Sequence, residues 1–229
     1  MPPQRRMLCR QRSPPPSGRA AEMTGNYRPR RIALRDGREV TLRAIVEADA
    51  TEIVQAFERL SDRSRYYRFM TQSRQLDDAA LQRGVHPRPG RDFVFVATIP
   101  AADGIDIVGA AQYVQAGEHD GKTCEFAITV AEDWRGSNLA TELLASLVRR
   151  ARRDGYETME GLVIAENTAM LGLARKLEFK AEPVPGDATV LRVQRALYGS
   201  PRRTTADPTA VTRTRRCDFG EDPGDTSSS

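Results

Sequence analysis

The chain has 229 residues, of which 39% are hydrophobic and 29% are charged. This length allows one domain with a substantial core, but not comfortably two once the polar ends are set aside. No stretch approaches the ~20 consecutive apolar residues that cross a bilayer, which excludes a membrane span. The net charge of +4 comes mostly from residues 1–31, which hold eight Arg and one acidic residue, so nucleic-acid binding is not expected.

The cysteines and histidines do not form a metal-binding pattern. Cys9, Cys124 and Cys217 lack ligand-like spacing, and their odd number does not suggest a disulfide framework. His86 and His119 stand apart in polar, turn-like surroundings, which favours surface histidines over metal ligands. We therefore expect a cytoplasmic protein without a metal cofactor.

Both ends of the chain have the composition of disordered segments. Residues 1–30 combine Arg, Pro, Ser and Gly with almost no apolar content, and residues 199–229 are rich in Pro, Thr, Arg, Asp and Ser. Such mixtures cannot bury enough surface to offset chain entropy. The sequence therefore predicts two disordered tails around a folded domain at residues 31–198.

The first part of that domain changes from strand to helix. Residues 40–45 alternate apolar and polar side chains, as a half-buried strand does. Residues 47–60 then place four apolar side chains on one helical face: Ile53, Ala56, Phe57 and Leu60. A second helical stretch runs through Tyr66, Tyr67 and Phe69.

The rest of the domain alternates strands and helices. Residues 92–99, 105–114 and 123–130 are strand-like runs separated by Pro, Gly and Asp, which predicts an antiparallel meander. Leu139, Leu143 and Leu147 then recur at every fourth position of an amphipathic helix that ends near Gly155. A strand at residues 157–164, a helix at 168–177 and a strand at 189–193 complete an α+β pattern.

The most informative segment is the turn that opens the helix after Trp134. Gly136, Ser137 and Asn138 are small residues at a helix start, where unpaired backbone N–H groups and the helix dipole suit an anion such as a diphosphate. Many helices begin this way without binding anything, so a solvated helix N-terminus is the alternative.

Two motifs resemble the GNAT acetyltransferases over about residues 38–197. Residues 135–140 resemble the acetyl-CoA loop of that family, with Arg135 first, Ala140 last and Asn138 where the family usually has Gly. The segment with Asn167, Met170, Leu173, Leu177 and Phe179 resembles the helix beside the cofactor, with Glu178 in place of another Gly.

The resemblance implies a GNAT fold with a mixed, mostly antiparallel sheet of six or seven strands and helices on both faces. Strands that end near Val130 and Ile164 would splay apart and admit the pantetheine arm of acetyl-CoA. The implied cofactor-binding residues are Ile128, Thr129, Val130, Arg135, Gly136, Ser137, Asn138, Leu139, Ala140 and Asn167.

Acetyl transfer to an amine requires a deprotonated nitrogen, and Glu125 is the candidate general base. Its apolar strand would partly desolvate the carboxylate and strengthen it as a base. The alternative is a carboxylate paired with an Arg on a neighbouring strand. Residues 124–130 and 60–69 also resemble the catalytic domain of bacterial protein lysine acetyltransferases, which implies that Glu125 is the catalytic base.

The leaving thiolate needs a proton, and many GNAT enzymes supply it from a Tyr where this chain has Ala174. Solvent, Tyr66 or Tyr67 would replace that Tyr. Cys124 is interpreted as a small buried side chain rather than a nucleophile.

We expect an acetyl-CoA-dependent N-acetyltransferase that acts on a primary amine, of either a protein lysine or a small molecule. The oligomeric state is open between monomer and homodimer. A non-catalytic acyl-CoA-binding module for sensing or assembly is the alternative.

Overall fold

The computed structural model describes residues 27–70, 76–102, 104–117 and 121–198. The predicted tails fall outside this part of the chain except at residues 27–30, and Cys9, His119 and Cys217 also lie outside it. Packing begins before the expected boundary at residue 31, because the Tyr27 ring contacts Phe95 with centroids 4.6 Å apart.

The described chain contains eight strands and five α-helices. The strands are β1 (Arg30–Ala33), β2 (Glu39–Ala44), β3 (Phe93–Ala101), β4 (Gly104–Gln115), β5 (Thr123–Val130), β6 (Thr158–Ile164), β7 (Lys180–Val184) and β8 (Asp187–Ala196). The helices are α1 (Ala50–Glu58), α2 (Asp62–Phe69), α3 (Asp78–Val85), α4 (Leu139–Arg153) and α5 (Thr168–Lys176). None of these helices is both long and apolar enough to cross a bilayer.

The strands form one sheet in the order β1-β2-β3-β4-β5-β6-β8-β7. Neighbouring strands are antiparallel except β5 and β6, which are parallel. The predicted meander of β3, β4 and β5 is confirmed. The sheet has eight strands rather than six or seven, because the polar segments of β1 and β7 pair at its two edges.

Helices cover both faces of the sheet, and the alternation of side chains along β3 shows why. Phe95 and Ala97 belong to a core shared with Leu143 and Leu147 of α4. Val94 and Val96 point the other way and pack with Ile53 of α1 and Leu81 of α3. Since both faces are buried, β3 is apolar almost throughout.

The pairing of β5 with β6 stops early, and this positions the site. Only three residue pairs join the two strands: Thr123 with Thr158, Cys124 with Met159 and Glu125 with Glu160. β5 nevertheless stays paired with β4 as far as Val130, and β6 with β8 as far as Ile164. A gap therefore opens between β5 and β6 beyond Glu125.

Candidate active site

A cavity of about 890 Å³ occupies the gap between β5 and β6 and continues to the start of α4. Nearly all the site residues expected from the sequence line it, namely Glu125, Ile128, Thr129, Val130, Arg135, Gly136, Asn138, Leu139, Ala140 and Asn167. Ser137 is the exception, since it is buried. The splayed strands and the helix start therefore open into one space.

Ser137 closes the turn before α4 from the inside. Its hydroxyl donates to the carbonyl of Trp134 at 2.7 Å and accepts from the amide of Leu139 at 3.3 Å. Trp134 is itself buried, and the guanidinium carbon of Arg38 lies 3.9 Å from its ring centroid. Trp134 is thus a packing anchor for the turn.

The turn presents backbone amides to the cavity. Gly136 has φ +77° and Asn138 has φ +79°, a left-handed conformation that glycine adopts without strain and asparagine tolerates. A Cβ on Gly136 would meet no heavy atom within 4 Å, so the turn is open on that side. Within the described residues, no group accepts a hydrogen bond from the amides of Gly136, Asn138 or Ala140.

The side chain of Arg135 turns away from this loop. It forms an ion pair with Glu132 at 2.8 Å and also donates to the hydroxyl of Ser64 on α2. Glu132 accepts further hydrogen bonds from Ser64 and from the backbone and side chain of Ser61. Burial alone would raise the pKa of Glu132, but the bonds from Ser64 and Ser61 hold it below its ordinary value.

Glu125 lies at the last paired position of β5, where the gap begins. Its neighbours Cys124 and Phe126 are buried on the opposite face, whereas its own side chain is exposed. The expected desolvation of this carboxylate is therefore absent, because the open cavity leaves it in contact with solvent.

A cation faces Glu125, but it does not come from a neighbouring strand. Arg68 of α2 lines the cavity and is half-buried, and burial lowers the pKa of its guanidinium to about 10. The negative charge of Glu125 opposes that decrease. Among the residues that the structure describes, Glu125 has no ion pair within 4.0 Å.

Asn167 borders the far side of the cavity at the start of α5. Its side-chain oxygen accepts from the amide of Met170 at 3.1 Å, which caps the helix. No residue in the described ranges accepts a hydrogen bond from its side-chain NH₂ group, which can therefore bind a ligand.

Among the groups considered for the final proton, Tyr67 lines the cavity and Tyr66 does not. The Tyr67 hydroxyl accepts from Arg63 at 2.9 Å, so its own proton is free to be donated. Ala174 is buried. Burial also raises the pKa of the Cys124 thiol to about 12, which agrees with an inert side chain.

Four cations that line the cavity were not predicted from the sequence: Arg35, Arg63, Arg68 and Lys176. Arg35 lies in the turn between β1 and β2, where its amide donates to the carbonyl of Ser137 at 3.2 Å. No local pattern signals these residues, since each reaches the site from an element distant in sequence. The described part of the chain holds no cluster of three or more metal-ligating side chains.

Comparisons with known proteins match the chain to one family of enzymes. The sequence model of the family described as Acetyltransferase (GNAT) domain matches residues 39–180. An acetyltransferase of Pseudomonas aeruginosa is 32% identical over 157 residues, which cover 69% of this chain and 83% of that protein.

Solved structures share the fold. The GNAT domain of PAT from S. lividans superposes with a TM-score of 0.68 at 23% identity, covering 73% of this chain and 96% of that chain. The structure of yncA from Salmonella typhimurium, solved with acetyl-CoA, has a TM-score of 0.55 at 21% identity. The match covers 75% of this chain and 99% of that chain.

The fold is the GNAT fold, and the chain belongs to the GNAT acetyltransferase family. It is an N-acetyltransferase, so the alternative of a non-catalytic module finds no support in these comparisons. GNAT acetyltransferases use acetyl-CoA. The free amides at the start of α4 and the open gap beside β5 fit the diphosphate and the pantetheine arm of this donor.

Proposed function

We propose that the protein transfers an acetyl group from acetyl-CoA directly to a primary amine, with Glu125 as the general base. The observation that carries this proposal is the position of Glu125 at the closed end of the gap. No covalent acetyl-enzyme is involved.

The length of the gap supports this placement. Val130 lies five residue steps along the extended strand from Glu125, a length of about 17 Å, which is the scale of an extended pantetheine arm. A diphosphate at the amides of residues 136–140 would therefore leave the thioester close to Glu125. Backbone groups of Ile128, Thr129 and Val130 would bind the arm from one side and Asn167 from the other.

The chemistry at this point needs one proton acceptor and one proton donor. The amine attacks the thioester carbonyl, passes its proton to Glu125 and forms a tetrahedral intermediate whose oxyanion backbone N–H groups stabilise. The C–S bond then breaks, and the thiolate takes a proton from Tyr67 or from solvent. The guanidinium of Arg68 lines the same cavity and carries the opposite charge to Glu125.

The acceptor surface consists of side chains from α2 and β6. Arg63, Tyr67, Met70 and Leu162 line the same cavity as Glu125. Met70 and Leu162 are large exposed apolar side chains, which suits an acceptor with an apolar portion. Both a protein lysine and a small amine are compatible with this surface, and the buried free thiol of Cys124 is compatible with a cytoplasmic location.

The test replaces Glu125 with Gln, which keeps the shape and removes the base. We expect kcat to fall by about 10²- to 10⁴-fold while the Kd for acetyl-CoA is unchanged. Acetylated products are measured by mass spectrometry on a panel of small amines and lysine-containing proteins, which also identifies the acceptor class.

Glu160→Gln is the matched control, because Glu160 pairs with Glu125 across the strands but does not line the cavity. This variant should retain wild-type turnover. Equal turnover of Glu125→Gln and wild-type protein would refute the role of Glu125.

A further inference from the structure

Lys176, near the end of α5, reaches across to the start of α4. Its ammonium donates to the side-chain oxygen of Asn138 at 3.1 Å and to the hydroxyl of Thr141 at 3.4 Å. Asn138 precedes the first residue of α4 and Thr141 lies in its first turn. The ammonium is thus held beside the free amides of the loop.

The backbone of Lys176 lies in the last turn of α5, which suits a cation, but its ammonium lies at the start of α4, which does not. The start of a helix carries a partial positive charge, so a cation there is repelled and an anion is attracted. No carboxylate forms an ion pair with Lys176 within the described ranges. A cation that opposes the helix dipole without a protein counter-charge indicates an anionic ligand at this point.

Two other cations lie near the loop, Arg35 and Arg135, but neither has a side-chain hydrogen bond to its helix start in the described part of the chain. The resemblance to the family placed Arg135 at the head of the loop, yet its guanidinium is paired with Glu132 and Ser64. Lys176 supplies positive charge at the same helix start from the opposite side of the cavity.

The hydrogen bond from Lys176 explains why Asn occupies position 138. Asparagine at φ +79° is strained relative to glycine, but its carbonyl oxygen orients the ammonium of Lys176, which glycine could not do. Asn138 therefore acts as a positioning residue for Lys176.

We propose that Lys176 is a cofactor-binding residue whose ammonium, oriented by Asn138 and Thr141, pairs with the diphosphate of acetyl-CoA. This inference rests on the donor of the proposed function but not on Glu125. Binding is therefore measured by calorimetry in the absence of an acceptor, so that it is independent of the base.

The decisive variant is Lys176→Met. We expect the Kd for acetyl-CoA to rise about tenfold, as for the loss of one charge-assisted hydrogen bond. The Kd for dephospho-acetyl-CoA, which lacks only the 3′-phosphate, should rise by the same factor. The Kd for acetyl-pantetheine, which lacks the diphosphate as well as the 3′-phosphate, should not change. The Tm of the ligand-free variant should change little, because two exposed hydrogen bonds and the repulsion from the start of α4 are lost together.

Lys180→Met is the matched control, since Lys180 is exposed on β7 and does not line the cavity. Its Kd should equal that of the wild type. Asn138→Gly should also weaken binding, and the double variant with Lys176→Met should bind no worse than Lys176→Met alone, because Asn138 acts through Lys176.

Three results would overturn the inference. Lys176→Met could bind acetyl-CoA as tightly as the wild type. The penalty could vanish with dephospho-acetyl-CoA, which would assign Lys176 to the 3′-phosphate. A penalty that remains with acetyl-pantetheine, together with a lowered Tm, would show that Lys176 is structural. Failure of Glu125→Gln to lose turnover would leave the inference intact.

Discussion

Two left-handed residues replace glycine in the family motifs, and the structure shows how each is accommodated. Asn138 has φ +79° and Glu178 has φ +62°. Asparagine tolerates this conformation through its short polar side chain, and the Asn138 side chain contacts Lys176. Glu178 forms an ion pair with Arg195 at 2.8 Å outside the cavity. Neither replacement blocks the cavity.

Gly161 shows the opposite case, in which only glycine fits. A Cβ there would lie 2.9 Å from Cε1 of Phe126, whose ring in turn contacts Phe179 with centroids 5.1 Å apart. Phe126 lines the cavity just beyond the last paired residues of β5 and β6. Because Gly161 has no side chain, the Phe126 ring has room to pack against it at the closed end of the gap.

We predict that Gly161→Ala lowers the free energy of unfolding by about 1–3 kcal/mol through overpacking against Phe126. Urea denaturation measures this change. Gly172→Ala is the control, because a Cβ at that position of α5 meets nothing within 4 Å. It should stabilise the protein by about 0.5–1 kcal/mol through higher helix propensity. Equal effects of the two substitutions would contradict the packing argument.

At the scale of elements, a polar network joins α2 to the cofactor loop. Ser61 caps α2 by accepting from the amide of Ser64, and both residues donate to Glu132 in the short 3-10 turn before the loop. Arg135 closes the network from the loop side. The proposed acceptor surface on α2 and the proposed diphosphate-binding turn therefore share one anchor.

Replacing Glu132 with Ala should lower the free energy of unfolding by about 1 kcal/mol near neutral pH, because the start of α2 loses a charged partner. Since the folded state lowers the pKa of Glu132, its contribution is complete above the ordinary Glu pKa of 4.5. It is lost as the pH falls through the lowered value. The difference between variant and wild type should therefore shrink in acid.

Asp133→Ala provides the comparison, because Asp133 is exposed in the same turn. It should have little effect at either pH. Urea titrations at neutral and acidic pH measure both variants. A pH-independent effect of Glu132→Ala would refute the linkage to its carboxylate.

The elements predicted from the sequence are those with clear periodicity. The alternation along β2 and the four-residue repeat of α4 gave bounds within a few residues of the structure. β1 and β7 were missed, because Arg30 and Arg31 make the first polar and Pro183 interrupts the second. Their conformation depends on pairing with a neighbouring strand rather than on local preference. α3 lies within residues 60–90, which the sequence indicates are helical, but its bounds were not predicted because its eight residues form only about two turns.

The candidate site divides in the same way. The backbone groups that line it belong to short continuous segments with recognisable sequences. The loop at residues 135–140 and the strand end at Val130 could therefore be located from motifs. Arg35, Arg68 and Lys176 could not, because tertiary packing alone brings them to the cavity. The expected burial of Glu125 was wrong for a related reason, since an apolar strand sequence does not reveal that one of its edges is open.

For the whole molecule, a donor that binds only the folded state must raise thermal stability. At a concentration of about 100 Kd, acetyl-CoA should add about 2.7 kcal/mol and raise the Tm by about 5–10 °C. Differential scanning fluorimetry over a series of acyl-CoA concentrations measures the shift. A flat response to every CoA ester would contradict the assigned donor site.

The early end of the β5–β6 pairing has a consequence for how such an enzyme changes over generations. The gap between β5 and β6 depends on the divergence of two main chains, which no single side-chain replacement on the cavity-facing side of α2 removes. That side of α2 can therefore accumulate substitutions and accept new amines while the gap is retained, provided that Ser61 and Ser64 keep their contacts with Glu132.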